Sequence, residues 1–235
     1  ELQQEIVSTV KKEKLVIDSA KNIEKSFFID FNYDHNEKLV PLGDAVVDTK
    51  NGWSPNCNGG PQAVLSIGCL RNGRIDFSQV KYTDEYKQDV EKYYVKEGDF
   101  FYSRGNTKEL VALAAIACEV PPNVVFPDLL TKVELDKSKI LPEYAVYLFN
   151  SNLGRRYFGV VPEGASPSMV KVSQEYMKKF MVPYFGNIEK QKEIVQQINK
   201  QIKALEGVAL LRFDAEQRID RILDKIWSKE QGGCQ

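Results

Sequence analysis

The chain of 235 residues has one histidine, His35, and four cysteines set far apart, Cys57, Cys69, Cys118 and Cys234. None of these cysteines forms a Cys-x-x-Cys pair. A structural zinc site gathers about four nitrogen or sulfur ligands, so this supply leaves no metal site to expect. The scattered cysteines are read as reduced thiols in a cytoplasmic protein. No apolar run reaches the roughly 20 residues that cross a bilayer, and no secretory leader is present, so no membrane association is expected. A basic excess is lacking as well: 32 Lys and Arg stand against 33 Asp and Glu, a formal net charge of -1. Nucleic-acid binders are usually basic, so such a role would need its positive charge concentrated on one face.

Catalytic motifs are also absent. A DNA methyltransferase carries a Gly-rich cofactor loop and an Asn/Asp-Pro-Pro-aromatic motif. The only Pro-Pro pair here, Pro121–Pro122, lies between Val120 and Asn123, the wrong order. A magnesium nuclease sought from Pro127-Asp128 fails at Glu134-Leu-Asp-Lys137, where two residues separate acid and lysine. A Ser-His-Asp hydrolase would have to use His35, inside a polar stretch (Asn32 to Glu37) that reads as a surface linker. No catalytic residue and no cofactor are expected.

Proline is missing from both ends. All ten prolines, and all glycines but Gly186, Gly207, Gly232 and Gly233, lie between residues 39 and 185. Residues 1–28 carry Leu2, Ile6, Val10, Ile17, Ala20, Ile23 and Phe27 in steps of three and four, which predicts a long amphipathic helix. From Ile188 to Trp227 a second seam runs through Ile194, Ile198, Ile202, Leu205, Ala209, Ile219, Leu223 and Ile226. It is interrupted near Arg212 and Glu216, the pattern of a stutter or bend, and Gly207 weakens the helix nearby. Glu1–Val7 matches Glu189–Val195 at five of seven positions, an internal repeat opening both helices. Between them, Val64–Gly68, Asp99–Ser103, Leu113–Ala117 and Leu129–Leu135 read as strands, and Pro142–Asn150 as a short helix. Arg71 and Arg74 flank Asn72-Gly73, a hairpin-turn signal. The fold expected is α+β: a mixed α/β globule rich in short strands and loops, over residues 29–187, flanked by coiled-coil-type helices at 1–28 and 188–230. The predicted helix-packing or partner-binding residues are Ile6, Val10, Ile17, Ile198, Ile202, Leu205, Ile219 and Leu223.

Four segments, in order, resemble the target recognition domain of type I restriction–modification DNA specificity subunits. They are Leu39–Gly43 with Lys50-Asn-Gly-Trp-Ser-Pro55, then Gly98-Asp-Phe-Phe-Tyr-Ser-Arg104, then Leu141–Tyr147 with Asn150-Ser151. The fourth is Gly164–Lys178, followed by Met181–Tyr184 and Glu189–Val195, which closes the domain and enters a spacer helix. Since such subunits carry two recognition domains, the chain resembles half of one, or the recognition part of a methyltransferase fusion. The resemblance implies sequence-specific binding of double-stranded DNA on behalf of a separate DNA adenine methyltransferase subunit. It also implies a motor–nuclease subunit in full systems, and two copies pairing through their helices is a further expectation.

Bases are read by side chains that present donors and acceptors, while phosphates take positive charge or hydroxyls. On that basis the candidate DNA contacts are Lys50, Trp53, Ser54, Asn56 and Asn58 in one loop, and Arg104, Asn106 and Lys108 in another. Arg155, Arg156, Ser166, Ser168 and Lys171 form a third, locally basic group. Each has a plainer reading: an Asn/Gly turn cluster for the first loop, an ion pair with an internal acid such as Asp99 for Arg104, and a solvated face for the third group. Set apart from the resemblance, the near-zero charge and the two seams favour a non-DNA adaptor or scaffold that uses its helices.

Overall fold

The computed structural model describes residues 2–160 and 169–231. The chain forms two compact units, one of residues 28–198 and one of residues 1–27 with 199–235. Its strands are β1 (Val40–Pro41), β2 (Val46–Asn51), β3 (Gln62–Val64), β4 (Leu70–Arg71), β5 (Arg74–Ile75), β6 (Lys81–Thr83), β7 (Phe100–Ser103), β8 (Gly105–Asn106), β9 (Ala114–Ile116), β10 (Leu130–Leu135), β11 (Val170–Lys171) and β12 (Met181–Val182). Its α-helices are α1 (Leu2–Ser26), α2 (Pro142–Asn150), α3 (Asn152–Phe158), α4 (Gln174–Lys178) and α5 (Ile188–Gln231).

The unit of residues 28–198 is built on a mixed sheet in the order β2-β10-β7-β9-β5-β4. All neighbours are antiparallel except β5 and β9, which meet in parallel at Arg74 and Ile116. The β4–β5 hairpin turns at Asn72 and Gly73, with φ of 50° and 79°. Two consecutive left-handed residues are what a primed two-residue turn demands, and Asn-Gly supplies them at little steric cost. The run Val64–Gly68 departs from expectation: β3 ends at Val64, and Ile67–Cys69 forms a 3-10 turn instead.

Strand β7 is buried along its whole length, so alternate side chains enter two different layers. Phe101 points to a cluster with Leu65, Val95, Val124, Phe126 and Leu130, its ring 5.0 Å from that of Phe126. Phe100 and Tyr102 face the other way, onto Phe149 of α2 at 5.6 and 6.0 Å. Helix α2 starts with Pro142 in its first turn, where a missing N–H costs nothing. The α5 segment within this unit is pinned by Gln191, which is fully buried. Its Oε1 accepts from Leu141 N (2.8 Å), and its Nε2 donates to the carbonyls of Lys139 and Tyr184, both at 2.9 Å.

In the second unit Ile17, Ala20, Ile202 and Ala215 are buried. Arg212 bonds Glu24 at 3.1 Å and Arg218 bonds Glu13 at 2.9 Å, so α1 and α5 run antiparallel. The polar interruption of the seam is thus an ion-pair site: Arg212 also meets Glu216 at 3.2 Å, and α5 continues through it as one helix of 44 residues. Among the predicted packing residues, Ile17, Ile198 and Ile202 are buried. Ile6, Val10, Leu205 and Ile219 are half-buried, and Leu223 is exposed. No helix among the described residues is long and apolar enough to cross a membrane.

A Cβ added at Gly207 meets nothing within 4 Å. Gly207→Ala is therefore expected to stabilise α5 by about 0.5–1 kcal/mol, the ordinary helix-interior difference. A raised thermal midpoint checks this, and a lowered one would mean that the position is packed.

Candidate nucleic-acid interface

Loop 52–60 leaves β2 and is seated at once on the segment 126–129. Trp53 N donates to Phe126 O at 2.9 Å. Gly52 lies so close to that segment that a Cβ would fall 2.0 Å from Phe126 O and 2.4 Å from Pro127 O. Ser54 donates its hydroxyl to Asp128 Oδ1 at 2.6 Å and accepts from Asp128 N at 3.0 Å. Further along, Glu85 Oε1 accepts from both the backbone N (3.1 Å) and the side-chain Nδ2 (2.6 Å) of Asn56. The Thr83 hydroxyl donates to Asn56 O at 2.7 Å. Asn58 lies exposed at the bend of the loop.

These bonds draw in a second segment, residues 84–93. Lys87 Nζ lies 5.6 Å from the Trp53 ring and 5.2 Å from the Tyr93 ring. Lys50 Nζ lies 5.1 Å from Tyr93 and donates to Lys92 O at 2.7 Å. Ammonium groups over aromatic faces are held electrostatically without losing their charge. Two lysines and two rings thus form a basic, aromatic patch of the kind that takes phosphates and sugar edges. Tyr86, 89% exposed, projects from the same segment.

The second predicted loop meets the first at Asp128. Arg104 Nη2 stands 3.9 Å from Asp128 Oδ2, while Asp99 pairs with Lys132 at 3.2 Å. The acid beside Arg104 is therefore the half-exposed Asp128, not Asp99. Arg104 N donates to Leu129 O and Val172 N to Arg104 O, both at 2.8 Å. β8 and β11 pair Asn106 with Val170 and Gly105 with Lys171, so exposed Lys171 joins Arg104 and Asn106. Asn106 Oδ1 is occupied by Thr107 N at 2.9 Å. Lys108 is exposed, and beside it the Glu109 carboxyl is held below its ordinary pKa, first by its own backbone N–H and then by the Thr107 hydroxyl.

Arg155 is placed differently from expectation. Successive helical residues point about 100° apart, so Arg156 faces outward on α3 while Arg155 turns inward. Its Nε donates to Phe149 O (3.1 Å) and its Nη1 to Val111 O (2.7 Å) and Glu109 O (3.5 Å). Burial pushes its pKa down to about 10. The guanidinium braces the Arg104–Leu113 loop from behind instead of joining a basic surface. Ser166 and Ser168 lie outside the described residues.

Four contributors escaped the sequence reading: Lys87, Lys92, Tyr93 and Asp128. The first three lie in an acid-rich stretch with no periodic pattern. Asp128 is 74 residues from the serine it bonds. Among the described residues, no group of three or more His, Cys, Asp or Glu could hold a metal ion.

The chain resembles type I restriction enzyme specificity subunits. It is 25% identical over 122 residues to the EcoKI specificity subunit of Escherichia coli K12, covering 50% of this chain and 26% of that protein. It is 26% identical over 153 residues to a protein described as the type I restriction enzyme MjaX specificity subunit of Methanocaldococcus jannaschii, covering 60% of this chain and 36% of that one. The chain thus spans about a quarter to a third of these homologous relatives. Two solved structures share the fold. A chain of a type I restriction–modification complex matches 96% of this chain and 54% of its own length, with a TM-score of 0.51 and 14% identity. The S subunit from M. genitalium matches 78% and 44%, with a TM-score of 0.50 and 13% identity. No protein-family model matches the chain.

Proposed function

We propose that the chain is a non-catalytic specificity element of a type I restriction–modification system, reading double-stranded DNA through residues 29–187. It directs an adenine-N6 methyltransferase subunit, and with it a motor–nuclease subunit, to a target site. The observation that carries this reading is the meeting of separate loops at one surface. Lys50, Trp53, Ser54 and Lys87 come from one side and Arg104, Asn106 and Lys171 from the other, with Asp128 between them. The near-neutral net charge does not oppose this reading, since only the contacting face has to be basic.

The helices at 1–28 and 188–230 are the proposed protein-binding part. Leu15, Leu210, Leu211 and Phe213 are 55–69% exposed there. Exposed apolar side chains in such number suit a protein partner, whether the methyltransferase subunit or a second copy of the chain.

Binding of a random-sequence duplex, followed against salt, tests the DNA reading. Retardation at low salt is expected, with log K falling against log salt at a slope of about -0.9 per phosphate neutralised. In the Arg104→Ala variant binding to the selected target falls by about 1–3 kcal/mol if the guanidinium reads a base. No retardation at the lowest salt would sink this reading and favour a scaffold that works through its helices.

A further inference from the structure

A carboxylate at the middle of a surface meant for a polyanion calls for an explanation, and the loops do not need it for their placement. Trp53 N on Phe126 O and Arg104 N on Leu129 O already fix both loops to the segment around Asp128 through the backbone. What the carboxylate adds is charge. Its Oδ1 is engaged by the Ser54 hydroxyl at 2.6 Å, while Oδ2 faces Arg104 at 3.9 Å. That distance is well beyond the roughly 2.7–2.9 Å of a tight charge-assisted hydrogen bond. The side chain of Asp128 is 47% exposed and that of Arg104 27%, so both are within reach of an approaching ligand.

We propose that Asp128 is a discriminator, which weakens the grip on arbitrary duplex and so sharpens the choice of target. The inference rests on the DNA reading proposed above. A phosphate that approaches Arg104 meets the carboxylate as well, and must draw the guanidinium away from it against like-charge repulsion. A base edge with an amino group, adenine N6 or cytosine N4, donates to the carboxylate while Arg104 turns to an acceptor beside it. Non-target DNA offers the repulsion without that compensation, and specificity is the difference between the two.

The test is Asp128→Asn, which keeps an oxygen to accept from Ser54 and removes the charge. Affinity for a random-sequence duplex at low salt should rise about 10-fold, with a salt slope steeper by about one, because Arg104 is freed for a phosphate. Sequence preference in selection from a randomised duplex pool should fall. In an Arg104→Ala background the gain should shrink, since only the direct repulsion is then left to relieve. An unchanged random-duplex affinity and slope in Asp128→Asn would overturn the proposal, as would a gain that survives undiminished without Arg104. Weaker binding with a lowered thermal midpoint would assign Asp128 a tethering role and overturn it too. If neither wild type nor variant retards any duplex, the DNA reading itself fails, a result distinct from equal binding by both.

Discussion

Arg155→Met is expected to lower the stability of the globular unit by about 2–4 kcal/mol. Methionine replaces much of the aliphatic stem, so the loss comes mainly from the guanidinium. Its removal strips donors from the carbonyls of Phe149 and Val111, and weakly from that of Glu109. Each buried acceptor left unpaired costs about 1–3 kcal/mol. The gain from no longer burying a charge offsets part of this, which keeps the net below the sum. The sign of the pH effect follows from the lowered pKa of about 10. The unfolded chain holds this proton more tightly, so the group's contribution to stability rises with pH only above that value. Below about pH 9 the guanidinium is charged in both states, and the difference between variant and wild type should be flat with pH. Urea unfolding at neutral and mildly alkaline pH measures it. Because Arg155 braces the carbonyl side of the Arg104–Leu113 loop, the variant should also weaken duplex binding under conditions where it is still folded. An unchanged unfolding midpoint would show that water replaces the guanidinium at those carbonyls.

Arg155 also shows where the sequence could be read and where it could not. As half of an Arg-Arg pair it looks like surface charge, and only the phase of α3 against α2 decides that one of the two turns inward. That phase is set by tertiary packing. The elements themselves were more legible: Phe100–Ser103, Ala114–Ile116, Leu130–Leu135 and Pro142–Asn150 carry their own signals of alternation, turn and helix start. Asn72-Gly73 announces its hairpin because few other residues adopt two positive φ angles in succession. The Ile67–Cys69 turn was missed because a short apolar run is equally compatible with a strand. At the candidate interface, loop composition singles out Lys50, Trp53 and Arg104, residue types suited to phosphates and bases. Their convergence was not legible. It runs through backbone bonds to Phe126 and Leu129, and it brings in Asp128 and Glu85, acids whose partners are distant in sequence, and Lys87, whose acidic neighbours disguise it as part of a solvated stretch.

Gly52→Ala should be strongly disruptive at the candidate interface. The added Cβ would lie 2.0 Å from Phe126 O, 2.4 Å from Pro127 O and 2.6 Å from Phe126 C, all backbone atoms. Real Cβ atoms do not approach so closely, and no side chain is there to swing aside. The loop must lift, which breaks the bond from Trp53 N to Phe126 O at 2.9 Å and moves Ser54 off Asp128. Overpacking alone costs about 1–3 kcal/mol, and the bonds lost with the loop add about 1 kcal/mol each. The expected total is about 3 kcal/mol or more, a fall in thermal midpoint of roughly 6–12 °C for a chain of this size. Gly68→Ala is the matched control: its Cβ meets only Ser66 Oγ at 3.5 Å, and a change within about 0.5 kcal/mol is expected. Indole fluorescence reports the displacement directly, because Trp53 leaves its place beside Lys87. A Gly52→Ala protein with the wild-type midpoint and an unshifted Trp53 signal would mean that the loop does not sit on Phe126 and Pro127 in solution. The seating of Ser54 against Asp128 would then fall with it.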